Sequence, residues 1–168
     1  MAAPAAMAEG GSCPLFDEGA DGDVPEGEKL KELQRRIRGL LDSYVSSGDQ
    51  GEAVRCFGEL ACSFEDEVVV VALRVALERS RRQRELILAL LCALRSAGVL
   101  ERRAFVRGFA RMSCTWEDLA IDDGPQAPVD LVGMLLECVR ADCLDHAFLA
   151  RLPEGLLLAA LRAWQEGP

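Results

Sequence analysis

From Glu28 onward apolar side chains recur every three or four positions, at Leu30, Leu33, Ile37, Leu41, Tyr44 and Val45, with Lys29, Lys31, Glu32, Arg35, Arg36 and Arg38 filling the places between. That period draws one apolar stripe along a helix of about five turns. The stripe stops at Ser46-Ser47-Gly48, where Gly48 is free to take the left-handed conformation that closes a helix. Asp49, three residues before Glu52, has the spacing of a capping box. It predicts a second helix with Ala53, Cys56, Phe57 and Leu60 on one face, folded back on the first as a hairpin.

Cys62-Ser63 interrupts that helix, and Ser63 with Asp66 repeats the cap spacing. The segment from Phe64 to Arg79 is apolar on every side through Val68-Val69-Val70-Val71-Ala72-Leu73. It runs on without a turn into Arg74-Val75-Ala76-Leu77-Glu78, too long for a strand, and is expected to be the most buried helix. After Arg79-Ser80-Arg81-Arg82 come Leu86, Ile87, Leu90, Leu91 and Leu94 on a helix closed at Ala97-Gly98. The next carries Phe105, Phe109 and Met112 inward and Arg103, Arg107 and Arg111 outward. Thr115 precedes Asp118 at cap spacing and predicts a short helical turn, Glu117-Asp118-Leu119-Ala120-Ile121-Asp122, stopped by Asp123-Gly124-Pro125. Val129, Val132, Leu135, Leu136 and Val139 begin a long helix that fades at Cys143-Leu144, and Pro153 opens a last one bearing Leu156, Leu157, Ala160, Leu161 and Trp164.

The breaks at Ser47-Gly48-Asp49, Ala97-Gly98-Val99 and Ala141-Asp142-Cys143-Leu144 fall about fifty residues apart. An all-α chain with such breaks is expected to stack antiparallel helical hairpins in a HEAT-like array, an architecture that commonly serves as a binding surface. The composition agrees, since 50% of the residues are hydrophobic and only 5% aromatic, with little Thr, Ile or Tyr to favour strands. The 168 residues suit a single core. The expected division is a disordered acidic leader over residues 1–27 and one helical domain over 28–168.

Charge narrows the partners. The net charge of -9 is concentrated in the leader, where Glu9, Asp17, Glu18, Asp21, Asp23 and Glu26 meet no Lys or Arg. The remainder holds 22 acidic against 19 basic groups, a near-neutral body without the excess that phosphate binding needs. Arg79, Arg81, Arg82 and Arg84 at one helix junction form the candidate RNA contact; no aromatic lies among them to stack a base, and their other reading is a solvated corner that neutralises the negative end of the preceding helix. The seven cysteines contain no CxxC pair and read as small buried hydrophobes in a reducing compartment. The apolar run from Leu86 to Leu94 is far below the roughly 20 residues of a membrane span.

No catalytic group stands out. His146 is the one histidine, placed beside a turn, and Cys138 and Cys143 have no second His or Cys cluster with which to bind a metal. Neither an enzyme nor a cofactor is expected.

Several segments, in order, resemble the MA-three (MI) domain family: Leu41-Asp42-Ser43-Tyr44-Val45-Ser46-Ser47-Gly48-Asp49 with Glu52-Ala53, Cys56 and Glu59-Leu60; Ala72-Leu73-Arg74-Val75-Ala76-Leu77-Glu78; Phe105-Val106-Arg107-Gly108-Phe109; and the acidic segment Glu117 to Asp122 followed by Pro125. The resemblance runs from about Leu30 to Leu152 and is strongest to the family's translational repressors. It implies a protein-binding stack of hairpins that binds the DEAD-box RNA helicase initiation factor 4A and modulates, in the repressors inhibits, translation initiation. The family's contact acids fall on Asp118 and Asp122, with Glu117 beside them and Glu78 at the end of the third helix. Ser43 stands where members often carry an acid, and Asp123-Gly124 lengthens the link to Pro125. A cytoplasmic location follows from this reading; the alternative of a scaffold for a nuclear DEAD-box helicase would add the nucleus.

Overall fold

In the computed structural model, residues 27–60 and 64–166 are described. The expected leader, apart from Gly27, lies outside them, as do Cys62 and Ser63 and with them the expected Ser63 cap. Among the described residues the chain forms α1 (Gly27–Ser47), α2 (Gln50–Leu60), α3 (Glu65–Leu77), α4 (Arg81–Ser96), α5 (Arg102–Cys114), α6 (Trp116–Asp122), α7 (Ala127–Arg140), a 3-10 segment (His146–Arg151) and α8 (Glu154–Glu166), with no strand.

The helix ends follow local chemistry. The Glu52 N–H donates to Asp49 Oδ1 at 2.9 Å, so Asp49 caps α2. The reciprocal half of the capping box is absent; the Asp49 N–H donates to Ser47 Oγ instead. Ser80 caps α4 through the Gln83 N–H. Thr115 does not cap α6, because its hydroxyl donates back to the carbonyls of Arg111 and Met112 and closes α5. The three anticipated breaks are the left-handed closures of α1, α4 and α7, at Gly48 (φ 72°), Gly98 (φ 73°) and Asp142 (φ 58°). Arg102 clasps Asp142 on both its carboxylate and its carbonyl, which holds a non-glycine residue in that conformation.

These closures mark helix ends rather than the repeat. The hairpin α1–α2 packs on α3–α4 with α1 against α3 and α2 against α4, α5 lies on α3, and α7 touches both α3 and α4. Stacking therefore advances from α1 to α3 to α5, whose first residues are Gly27, Glu65 and Arg102. The step is shorter than the fifty residues that the spacing of breaks suggested. The α6 helix is the link between α5 and α7.

Helix α3 is the axis of the stack. Every residue from Glu67 to Leu73 is buried, as are Val75 and Ala76. Four helices cover it, and α5 comes closest: a Cβ added to Gly108 would lie 2.6 Å from Val69 Cγ1. The glycine is thus required by helix-to-helix contact, not by a turn. On α5, Phe105, Phe109 and Met112 are buried as the pattern predicted. Arg111 is not outward. It turns onto α3 and pairs with Glu67 at 2.7 Å and Asp66 at 3.2 Å, while Gln34 of α1 donates to the same Glu67 at 2.7 Å. Glu67, 4% exposed, joins three helices. Burial works against the Arg111 charge, but the bonds and fields of Glu67 and Asp66 win and raise its pKa.

The α7 stripe is rotated from its expected phase. Leu131, Met134, Leu135, Cys138 and Val139 are buried, whereas Val129 and Val132 are half-buried and Leu136 is exposed. On α8, Leu156 is buried and Leu161 is 50% exposed; the side chains of Ala160 and Trp164 lie outside the described residues. The reading of the cysteines as small buried hydrophobes holds for Cys138 and Cys143, whereas Cys56 and Cys92 are half-buried. Cys56, Cys92, Cys138 and Cys143 are free, while Cys114 is disulfide-bonded.

Two variants test this packing by urea denaturation. Gly108→Ala is expected to destabilise the chain by about 2 kcal/mol through overpacking, and Val69→Ala in the same chain to recover part of the loss. Arg111→Met leaves the Glu67 carboxylate buried without its cation and is expected to cost about 3 kcal/mol, more than Arg111→Met combined with Glu67→Leu. Additive losses at positions 69 and 108, or an unchanged midpoint for Arg111→Met, would contradict the contacts described.

Candidate functional site

The acidic segment is a helix of seven residues, Trp116–Asp122. So short a helix has too few internal hydrogen bonds to persist alone. Tertiary anchors hold it at its first residue and at its middle. Leu119 is buried, and Trp116 packs against the core and lies over Gly155 in the first turn of α8, where a Cβ would meet its ring at 2.8 Å. The helix also rests on α7. Neither Trp116 nor Gly155 was singled out in the sequence; glycine one residue into a helix signals a close approach only once the opposing ring is known.

With that face committed, the other is open. Glu117, Asp118 and Asp122 are exposed, and none of their carboxylates has a hydrogen bond or ion pair to another described residue. Asp118 and Asp122 are one helical turn apart and share a face. Between them Ile121 is 80% exposed, the most exposed large apolar side chain among the described residues. The lengthened link does not disturb this pair. Helix α6 runs through Asp122, the Asp123 N–H bonds the Leu119 carbonyl at 2.8 Å, and the added glycine, Gly124, takes a left-handed turn (φ 90°) after the helix has ended.

Glu78 differs from the other acids. It follows the last residue of α3 and is held by the Arg38 guanidinium of α1 through two bonds of 2.9 Å. That fork holds the Glu78 carboxyl below its ordinary value of 4.5 and raises the Arg38 pKa. No hydrogen bond or ion pair links Glu78 to α6. The structure gathers Glu117, Asp118 and Asp122 on one element and leaves Glu78 on another, already partnered.

The arginine junction is largely occupied as well. Arg79 binds Asp42 of α1 at 2.6 Å, Arg81 binds Glu85, and Arg84 pairs with Asp130 of α7 at 2.7 Å while donating to the Ala76 carbonyl at the end of α3. Arg82 is exposed and takes part in no such bond. Asp42, one position before Ser43, thus serves the fold through Arg79. The described residues contain no group of three or more His, Cys, Asp or Glu side chains placed to hold a metal ion, and no helix among them is long and apolar enough to cross a membrane. His146 is exposed at the start of the 3-10 segment.

Stacked hairpins that present one short, anchored acidic helix make an all-α, HEAT-like fold. The chain belongs to the MA3 domain family, whose model matches residues 33–145. It is 33% identical over 120 residues to MA3 domain-containing translation regulatory factor 1 of Arabidopsis thaliana, a match that covers 71% of this chain and 17% of that protein. Factor 4 from the same plant is 34% identical over 93 residues, covering 55% of this chain and 15% of that protein. Programmed cell death protein 4 of Gallus gallus is 32% identical over 120 residues, covering 70% and 26%. The matched part is thus at most about a quarter of these relatives' lengths.

The Arg38–Glu78 fork has a definite pH signature. Because the folded-state pKa of Glu78 is lowered, the pair's stabilisation is present above the unfolded value near 4.5 and is lost as pH falls through the depressed folded value. Arg38→Ala is expected to return the Glu78 carboxyl toward the ordinary range, read by a carboxyl-detected NMR titration. An unmoved Glu78 titration in that variant would rule out the fork as its cause.

Proposed function

We propose that the chain is a non-enzymatic binding module that engages the DEAD-box RNA helicase initiation factor 4A and, by occupying it, restrains translation initiation. The observation that carries the reading is the pair Asp118 and Asp122, exposed on one face of a helix whose other face is fixed. The backbone that carries these carboxylates is already ordered before any partner arrives, so an approaching Arg or Lys bears less of the ordering cost. Their charge steers encounter and sets register, and Ile121 between them offers apolar area that is removed from water on contact. Glu117 lies beside the pair and adds to the local field. Glu78 contributes by exchanging its internal Arg38 for a cation of the partner.

Family membership and relatives named for translational regulation support this reading. Direct RNA binding through the arginine junction is less favoured, because Arg79, Arg81 and Arg84 are held by acids of the same chain. The module is proposed to act in the cytoplasm, where initiation takes place.

A pull-down with the purified helicase tests the site. Asp118→Ala combined with Asp122→Ala is expected to weaken capture at least tenfold, to leave the melting temperature within about 2 °C, and to abolish inhibition in an unwinding assay. Raising salt is expected to slow association more than it speeds dissociation. Undiminished capture by the double variant would remove α6 as the contact.

A further inference from the structure

Cys92 and Cys143 are separated by 51 positions, yet their sulfurs lie 3.8 Å apart, with the Cys143 thiol donating to Cys92. Cys92 is on α4 and half-buried; Cys143 is buried in the turn that follows α7. That turn is fixed. The Cys143 N–H bonds the Cys138 carbonyl at 2.8 Å, and Arg102 grips the neighbouring Asp142.

The nearby thiols are not equivalent. Cys138 is fully buried, and burial pushes it up to about 12, the state of an inert structural cysteine. Cys92 moves the opposite way, to about 7, because the hydrogen bond from Cys143 favours its thiolate over the opposing effects of burial and Glu137. Arg95, three residues after Cys92 on α4, lies close enough for its charge to act on Cys143, and its Nε is buried without a hydrogen-bond partner. A partly accessible sulfur with thiolate character, backed at contact distance by a second, sheltered thiol, is the arrangement of an attacking and a resolving cysteine.

We propose that Cys92 and Cys143 form a thiol oxidation site, in which a peroxide converts the pair to a disulfide that staples α4 to the turn after α7. The Cys92 thiolate attacks one peroxide oxygen, the O–O bond breaks, and the departing hydroxide takes up a proton as water. Cys92 is left as a sulfenic acid. Cys143 sulfur then attacks Cys92 sulfur; the S–S bond forms, the S–O bond breaks, and the second water leaves with the Cys143 proton. In total two thiols lose two electrons to one hydrogen peroxide, which becomes two waters. The sulfurs must close by roughly 1.8 Å to reach bonding distance. The closed loop encloses α5, α6 and α7, so the staple ties the segment that carries the acidic helix to α4 of the second hairpin. This site is independent of which partner the acidic helix binds.

The test uses the full chain, reduced with dithiothreitol, freed of reductant, exposed to hydrogen peroxide, alkylated and digested with trypsin without reduction. Cleavage after Arg84, Arg95, Arg140 and Arg151 puts Cys92 in the peptide 85–95 and Cys143 in 141–151, while Cys138 falls in 112–140 with Cys114. The expected product is peptide 85–95 linked to 141–151, lost on re-addition of dithiothreitol. In Cys143→Ser the expected product is Cys92 trapped as a dimedone adduct. Before oxidation, Cys92 is expected to react with iodoacetamide at pH 7 roughly fivefold faster than Cys56, which is also half-buried. Cys92 linked instead to 112–140, or left unlinked while other thiols oxidise, would overturn the assignment; because the wild-type map alone decides, it survives any folding defect in the serine variant.

Discussion

A helix that is apolar all the way round cannot face water on any side, and α3 is such a helix from Val68 to Leu73. Its burial demands neighbours in several directions, and α1, α4, α5 and α7 provide them. Hydrophobic burial is non-directional, so by itself it would permit many rotations of these helices about α3. Polar groups at the two ends of α3 select one. At the start, Glu67 receives Gln34 from α1 and Arg111 from α5; beyond the end, Glu78 receives Arg38 from α1, and Arg84 closes on the Ala76 carbonyl while holding Asp130 of α7. Removing water from an all-apolar rod drives assembly, and ties at its ends define register.

The site inherits its rigidity from this stack. Seven residues of α6 would not hold a helix in isolation, but Trp116 against Gly155 and buried Leu119 fix it to α8 and the core. Fixing one face is what leaves Asp118, Ile121 and Asp122 displayed on the rest. Exposed apolar and acidic groups on one short anchored element leave little backbone entropy to be lost in any contact made there.

Much of this was legible in the residues, and the exceptions share a cause. Helix existence followed from apolar period, and Gly48, Gly98 and the Asp142 turn were found as breaks because left-handed closure is a local property of a few residues. Their spacing misled about the repeat, since a closure says where a helix ends and not which helix packs on it. Arg111 was placed outward because its type is usually solvated, yet its long stem lets the guanidinium return to a carboxylate on α3. The Thr115 hydroxyl was assigned forward to α6 and bonds backward to α5; both are short-range options for a threonine, and spacing alone does not separate them. The phase of α7 was misjudged for a related reason, since an almost wholly apolar helix has no polar face to announce its orientation. At the site, the acids were visible and their anchors were not. Trp116 on Gly155 is a contact across about forty residues of chain, which no local pattern encodes.

Under the proposed function, the clasp of Glu78 by Arg38 would set a threshold on recognition. A bidentate guanidinium–carboxylate pair is displaced at small net cost only by a group of the same geometry, because a lysine ammonium offers a point charge where a planar fork was lost. The internal arginine would then act as a reference competitor built into the surface. In the contact proposed above, a partner that brings arginine to Glu78 would exchange like for like, whereas a merely basic surface would not.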